Sequence, residues 1–189
     1  MKNCSFYSDN ELSALGLKEY GKNVLISSKT SIYTPEKVSI GNNVRIDDFC
    51  IISGSITLGS NIHIGAFCAL YGSKGIIMED FTGLSPRTII FSAIDDFSGD
   101  YLISPMVPDR YTNVTGGTVI IKRYVQIGSG CIIFPNLIIG EGTAVGAMSL
   151  VNRNLAEWSI FGGIPAKYLK VRSKNLLNFI ASLDKDIQE

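Results

Sequence analysis

The chain has 189 residues, enough for one domain with a continuous core, and its 17 Lys plus Arg balance 17 Asp plus Glu. A neutral chain offers no electrostatic case for binding nucleic acid or an anionic membrane surface. No stretch approaches the ~20 apolar residues of a membrane span, and the opening MKNCSFYSDN lacks a signal peptide's apolar run, so a cytoplasmic protein is expected.

Residues 1–22 read as a cap. Ser8 and Glu11 have capping-box spacing, Gly16 is placed to stop a helix over 8–20, and Leu12 and Leu15 would dock it on the first coil. Repeats begin near Ile26 and Ile32, slip by two, and run as Ile40, Ile46, Ile52, Leu58, Ile64, Leu70 and Ile76. After a second two-residue slip, Met78, Leu84 and Ile90 keep the step of six. A helix repeats near 3.6 and a strand near 2, so a sustained six fits neither. A chain coiling in three short faces fits it, because each face then sends one aliphatic side chain to the axis. The fold class is therefore all-β, a parallel β-helix of hexapeptide repeats over 23–90 and 119–151.

The flanking residues agree. Glycine follows the aliphatic at Gly41, Gly59, Gly65, Gly128, Gly140 and Gly146, where a tight corner needs a small or left-handed residue. Two positions before it sit small or β-branched residues such as Val44, Ile62, Val125 and Thr143, which spacing by two also turns inward. Cys50, Cys68 and Cys131 occupy that slot and read as buried thiols, since no CxxC spacing exists; Cys4 is uninformative.

Residues 91–118 break the repeat, and a stretch of that length rich in Tyr, Phe and Asp reads as an ordered protruding arm. The coils resume as Ile121, Ile127, Ile133, Ile139, Val145 and Val151. Residues 152–189 hold a closing segment and an amphipathic helix over 173–187, with Leu176, Ile180, Leu183 and Ile187 on one stripe, expected to cap the second end. Trp158 reads as core or interface packing.

The hexapeptides, the interrupting arm and the ending GIPAKYLKVR (Gly163 to Arg172) resemble the left-handed β-helix acetyltransferases that use acetyl-CoA. The left hand comes from that resemblance, since parallel crossovers are otherwise right-handed. The stretches FYSDNELSALG, VRIDDFCIISG, FSAIDDFSGDY and GIPAKYLKVRSK resemble the members that acetylate amino sugars carried on a nucleotide. The resemblance implies a homotrimer with active sites in the clefts between chains, no metal, and acetylation of a substrate such as dTDP-4-amino-4,6-dideoxyglucose for O-antigen or surface-polysaccharide synthesis. Sugar O-acetyltransferases share much of the pattern and are the alternative. The outward Ile51, Ala69, Ile89 and Ile132 would leave apolar area in water and so add an independent hint of association.

Within that frame, Gly128, Gly146 and Ala147 match positions where small residues admit coenzyme A, although the glycines serve equally as corners. Lys167 and Arg172 are placed to meet its phosphates. Many relatives carry a histidine at the start of the arm, and this chain has none there. Its one histidine, His63, precedes the inward Ile64, so it points outward into a potential intersubunit cleft, and imidazole suits a proton acceptor. Asp95 and Asp96, where the arm leaves the coil, compete as base, as partner of His63 or as counter-ion of a substrate ammonium. Asp47 and Asp48 follow Ile46 and are candidates to contact the sugar, or are ordinary corner residues. Tyr101, Arg110, Tyr111 and Phe97 on the arm face either a nucleotide or a neighbouring subunit. An amine can lose its proton before binding and a hydroxyl cannot, so absence of the arm histidine tilts the reading toward N-acetylation.

Overall fold

A computed structural model describes residues 5–186 of the chain, so Cys4 and Ile187 lie outside the described residues. Three stacks of short parallel strands form a triangular coil. The first face stacks Val24–Ile26, Val44–Ile46, Ile62–Ile64, Gly83–Leu84, Gln126–Ile127, Ala144–Val145 and Ser159–Gly162. The second runs from Ser31–Tyr33 through residues 51–53 and 69–71 to Ile89–Phe91, Ile132–Ile133 and Leu150–Val151. The third runs from Glu19–Tyr20 through Val38–Ile40, residues 56–58 and 76–78 to Val119–Ile121 and Ile138–Ile139. This is the left-handed parallel β-helix that the repeat pattern and its resemblance imply.

The period of six is visible as columns. Ile26, Ile46, Ile64, Leu84, Ile127 and Val145 lie in register up the first face, and all are buried. Ile52, Leu70, Ile90, Ile133 and Val151 fill the second column, and Ile40, Leu58, Met78, Ile121 and Ile139 the third. The slot two positions earlier is buried throughout, including Cys50, Cys68 and Cys131 as free thiols. Burial pushes the Cys131 thiol up, and hydrogen bonding to Cys50 together with burial does the same to Cys68, so neither is poised as a nucleophile.

The corners decide between the two expected reasons for the glycine, small size and a left-handed backbone. The glycine after the aliphatic is not left-handed; the left-handed residue falls third after the aliphatic, at Asn43, Phe49, Asn61, Phe67, Phe81, Arg87, Tyr124 and Met148. What the earlier glycine supplies is clearance, because a Cβ on Gly41 would lie 2.6 Å from the Gly59 backbone of the next coil. Asparagine tolerates the left-handed region, and Asn23, Asn43 and Asn61 add a ladder of side-chain hydrogen bonds of 3.0 and 3.1 Å.

Every lengthening of the coil falls at one corner, between the second and third faces. The first slip holds the short 3-10 helix Pro35–Lys37. In the second, three residues separate Gly72 from Ile76 where one separates their partners Gly54 and Ile56. The arm also leaves there, its base closed by antiparallel pairing of Ala93–Ile94 with Thr115–Gly116. Val119 then pairs with Ile76, so the third face resumes as if uninterrupted.

The ends are sealed by short elements. The N-terminal helix is Asp9–Ala14, shorter than 8–20, with the Ser8/Glu11 capping box formed, Leu12 buried and Gly16 left-handed at φ 75°. At the other end Leu155, Phe161 and Ala166 are buried. The second helix, Leu176–Asp186, was expected to make that cap, yet none of its described side chains is buried and Phe179 is 74% exposed. The closing segment, not the helix, makes the cap.

Removing one rung should be costly, because neighbours above and below cannot close the gap without breaking register. Ile64→Ala is expected to lower unfolding free energy by about 2–5 kcal/mol, read from denaturant unfolding; a loss under about 1 kcal/mol would contradict a close-packed axis.

Candidate active site

Alternation along the first face turns Arg45, His63, Gly83 and Gln126 outward, and their strands hold them in register as one column. A groove of ≈ 520 Å³ lies along this column, lined by Asn43, His63, Phe81, Ser85 and Gln126 among others. His63, expected outward, is exposed, and its Nε2 lies 2.8 Å from Asp47 Oδ2. Arg45 Nε donates to Asp47 Oδ1 at 2.7 Å. Partial burial opposes ionisation of Asp47, but the hydrogen bonds from His63 and Arg45 outweigh it and hold the carboxyl below the usual aspartate range. An ionised carboxylate only accepts, so His63 Nε2 carries the proton toward Asp47. In the neutral ring, Nδ1 is then the basic nitrogen.

Asp47, expected to touch substrate, is thus the partner of His63 and Arg45. Asp48 has a different task. It accepts from Lys29 Nζ at 2.7 Å and from Ser27 Oγ at 2.5 Å, tying the first two coils together.

Ser85 and Gln126 escaped the sequence reading. Ser85 follows the inward Leu84, in the slot that holds glycine at Gly65, Gly128 and Gly146 and polar residues at Ser27 and Asp47. A polar residue replacing a clearance glycine beside the groove is the signal that could have found it. Gln126 Nε2 donates to Ser85 Oγ at 3.2 Å and to the Ile127 carbonyl at 3.2 Å.

The arm holds a 3-10 turn at Asp109–Tyr111 and a hydrogen bond from Leu102 N to the Tyr111 carbonyl. Asp96 accepts from Ser98 Oγ at 2.7 Å and from the Ser98 and Gly99 amides, and these bonds hold its carboxyl below the usual range. It is spent on the arm's own turn. Asp95 is exposed and makes no hydrogen bond among the described residues. Arg110 lies over the Tyr111 ring at 4.7 Å, Tyr101 is half exposed, and Phe97 and Met106 are 88% and 89% exposed. The arm springs from the corner opposite the first face, so one chain does not bring Asp95 or Asp96 to His63.

The candidates toward the closing end differ among themselves. Gly128 is required by the coil, since a Cβ there would stand 2.5 Å from Ala147 N. Gly146 is not, because a Cβ would meet nothing nearer than the Phe161 carbonyl oxygen at 3.5 Å. Gly128, Gly146 and Ala147 share the corner between first and second faces, and Ala147 is exposed. Lys167 is exposed on the closing strand Lys167–Val171. Arg172 is half-buried, and its Nη1 donates to the carbonyls of Tyr124, Gly142 and Thr143 at 2.8, 3.1 and 3.2 Å. That nitrogen clamps the closing strand to the coil.

Comparison with known proteins agrees with this architecture. Residues 37–72 match the bacterial transferase hexapeptide (six repeats) family. The chain is 41% identical over 176 residues to the dTDP-4-amino-4,6-dideoxy-D-glucose acyltransferase of Escherichia coli, covering 92% of each protein. It is 52% identical to AntD, an N-acyltransferase from Bacillus cereus, whose complex with dTDP and 3-hydroxybutyryl-CoA superposes with a TM-score of 0.96 over 98% of this chain and 99% of that one. A variant of AntD in complex with dTDP-4-amino-4,6-dideoxyglucose and coenzyme A gives a TM-score of 0.95 over 97% and 99%. The chain belongs to the hexapeptide-repeat acyltransferases.

The low carboxyl of Asp47 carries a pH signature. A depressed pKa means that ionisation favours the folded chain; the stabilisation is complete above the unfolded value of ~4 and is lost as pH falls below it. Asp47→Asn should therefore be less stable than wild type at neutral pH, with the gap narrowing in acid, as measured by denaturant unfolding at neutral pH and near pH 3. A gap that stays constant would contradict the assigned ion pairing.

Proposed function

We propose that the enzyme moves an acyl group from a coenzyme A thioester to the amino group of a nucleotide-linked deoxy sugar, dTDP-4-amino-4,6-dideoxyglucose, in the cytoplasm and for surface-polysaccharide synthesis. The observation that carries this reading is the Bacillus cereus neighbour, 52% identical over nearly the whole chain and solved with that sugar nucleotide and coenzyme A. Its structures include variants of one serine and one aspartate ten positions apart. Ser85 and Asp95 have the same spacing here, and both lie where the groove and arm make them available.

Chemistry gives each a role. The uncharged amine attacks the thioester carbon, a C–N bond forms, and negative charge collects on the carbonyl oxygen. Collapse breaks the C–S bond and releases the thiol, while the nitrogen gives up its extra proton. Asp95 receives the amine's proton or holds the ammonium before it is lost. Ser85 O–H faces the oxygen that gains charge. His63, with Asp47 behind it, stands in the groove as the second proton acceptor. Gly146 is not demanded by its own coil, where a Cβ would meet only ordinary contact at 3.5 Å, and its small size suits the approach of pantetheine beside Gly128 and Ala147. Lys167 has no side-chain partner among the described residues and is available for a phosphate, and Arg172 holds the strand that presents it.

His63 and Ser85 lie on one face and Asp95 at the opposite corner, so one chain holds only part of this set. A homotrimer would join the face of one copy to the arm of the next. The apolar outward column Ile51, Ile89, Ile132 and Leu150 on the second face supports such association, whereas Ala69 in the same column is already buried within the chain; the exposed Phe97 and Met106 support it too. Tyr101, Arg110 and Tyr111 would then reach the nucleotide or the adjoining chain.

The His63–Asp47 pair also favours a second reading, O-acylation, because a hydroxyl needs a positioned base and an amine does not. One experiment separates them. Thiol release is followed with acetyl-CoA and with 3-hydroxybutyryl-CoA against dTDP-linked 4-amino and 3-amino deoxy sugars and the matching hydroxy sugars. Turnover is expected with the 4-amino sugar and not with its hydroxy counterpart. Turnover confined to hydroxy sugars would overturn N-acylation.

A further inference from the structure

We infer that Gln126 is a positioning residue that makes the Ser85 hydroxyl a one-way donor into the groove; this rests on the acyl-transfer reading of that groove. The argument begins with the amide. Both hydrogens of Gln126 Nε2 have acceptors, Ser85 Oγ and the Ile127 carbonyl, each at 3.2 Å. The carbonyl end, Oε1, lies against Gly83. Reversing the amide would set Oε1 against the Ile127 carbonyl, oxygen to oxygen, so the backbone fixes which end meets Ser85.

A serine hydroxyl has one hydrogen and two lone pairs. Gln126 takes a lone pair, and Ser85 O–H has no acceptor among the described residues. The proton is therefore turned away from Gln126 and toward the groove, where the acyl oxygen gains charge. Accepting one hydrogen bond also strengthens a hydroxyl as donor of the next.

Gly83 permits this arrangement. It occupies the outward slot between His63 and Gln126 in the column, and a Cβ there would stand 2.5 Å from Gln126 Oε1. Only a bare backbone at position 83 lets the glutamine lie flat across the coil to reach a residue 41 positions away in sequence.

Gln126→Glu keeps the length but removes both N–H donors: its carboxylate loses the bond to the Ile127 carbonyl and can only accept from Ser85, drawing the hydroxyl proton out of the groove. It is expected to lower kcat about as far as Ser85→Ala, of the order of 10²-fold, with KM for acyl-CoA little changed. Gln126→Ala frees the hydroxyl without capturing it and should cost only about 3–10-fold. Gly83→Ala should lower kcat by displacing the amide. The double variant Ser85→Ala/Gln126→Glu should be no slower than Ser85→Ala alone. In an activity-independent readout, the Gln126 side-chain amide protons should exchange faster in Ser85→Ala than in wild type.

Full activity of Gln126→Glu beside a crippled Ser85→Ala would overturn the inference and leave the groove reading intact. A further large loss in the double variant would overturn it too, by showing that the carboxylate acts without Ser85. Full activity of Ser85→Ala would remove the groove reading's donor, and the inference with it.

Discussion

The structure depends on the hydrogen-bonded stacking of each coil on the next. At the corner after the first face, backbone amides of Ser27, Asp47, Gly65, Ser85, Gly128 and Gly146 donate to Ile46, Ile64, Leu84, Ile127, Val145 and Phe161, all at 2.8–2.9 Å. That ladder fixes register, and register fixes which side chains meet outside. A slip of one residue would send the inward column to solvent and bring Arg45, His63 and Gln126 to the axis. Asp47 can face His63, and Gln126 can reach Ser85, only because burying the aliphatic at every sixth position forbids that slip.

Much of this was legible. A period of six has no other structural reading over so long a run, and inward burial of Ile64 makes His63 outward by alternation alone. The thiols at Cys50, Cys68 and Cys131 follow from the same count. Two kinds of feature were harder. Corner geometry divides two demands that the sequence reading joins at the glycine, because clearance beneath a neighbouring coil and a left-handed backbone occupy slots two residues apart. Contacts across the arm were hidden for another reason. Counting by six stops at residue 90, and nothing in 91–118 says on which face the chain resumes. The pairing of Val119 with Ile76 restores the count and carries Gln126 to Gly83 and Ser85. Arg172 shows a role that sequence alone hid: its Nη1 engages three carbonyls of the coil, a packing task beside the phosphate contact that its place on the closing segment suggests.

Placement of the arm links the fold to the proposed chemistry. All lengthening of the coil is confined to the corner between the second and third faces, opposite the groove. An insertion there disturbs neither the first-face column nor the ladder beside it. It also starts Asp95 from the corner opposite the face that carries His63. A site using both is incomplete in one chain and complete between two, so association is a requirement of the proposed reaction as well as a means of covering apolar surface.

Complementation tests that claim directly. Ser85→Ala and Asp95→Asn chains, each with activity expected to fall far below wild type, are unfolded together, refolded and assayed as mixed assemblies with acyl-CoA and the 4-amino sugar nucleotide. If each site takes Ser85 from one copy and Asp95 from its neighbour, random mixing makes about one site in four intact, and about a quarter of wild-type activity returns. Activity no higher than the average of the two parents would contradict a shared site.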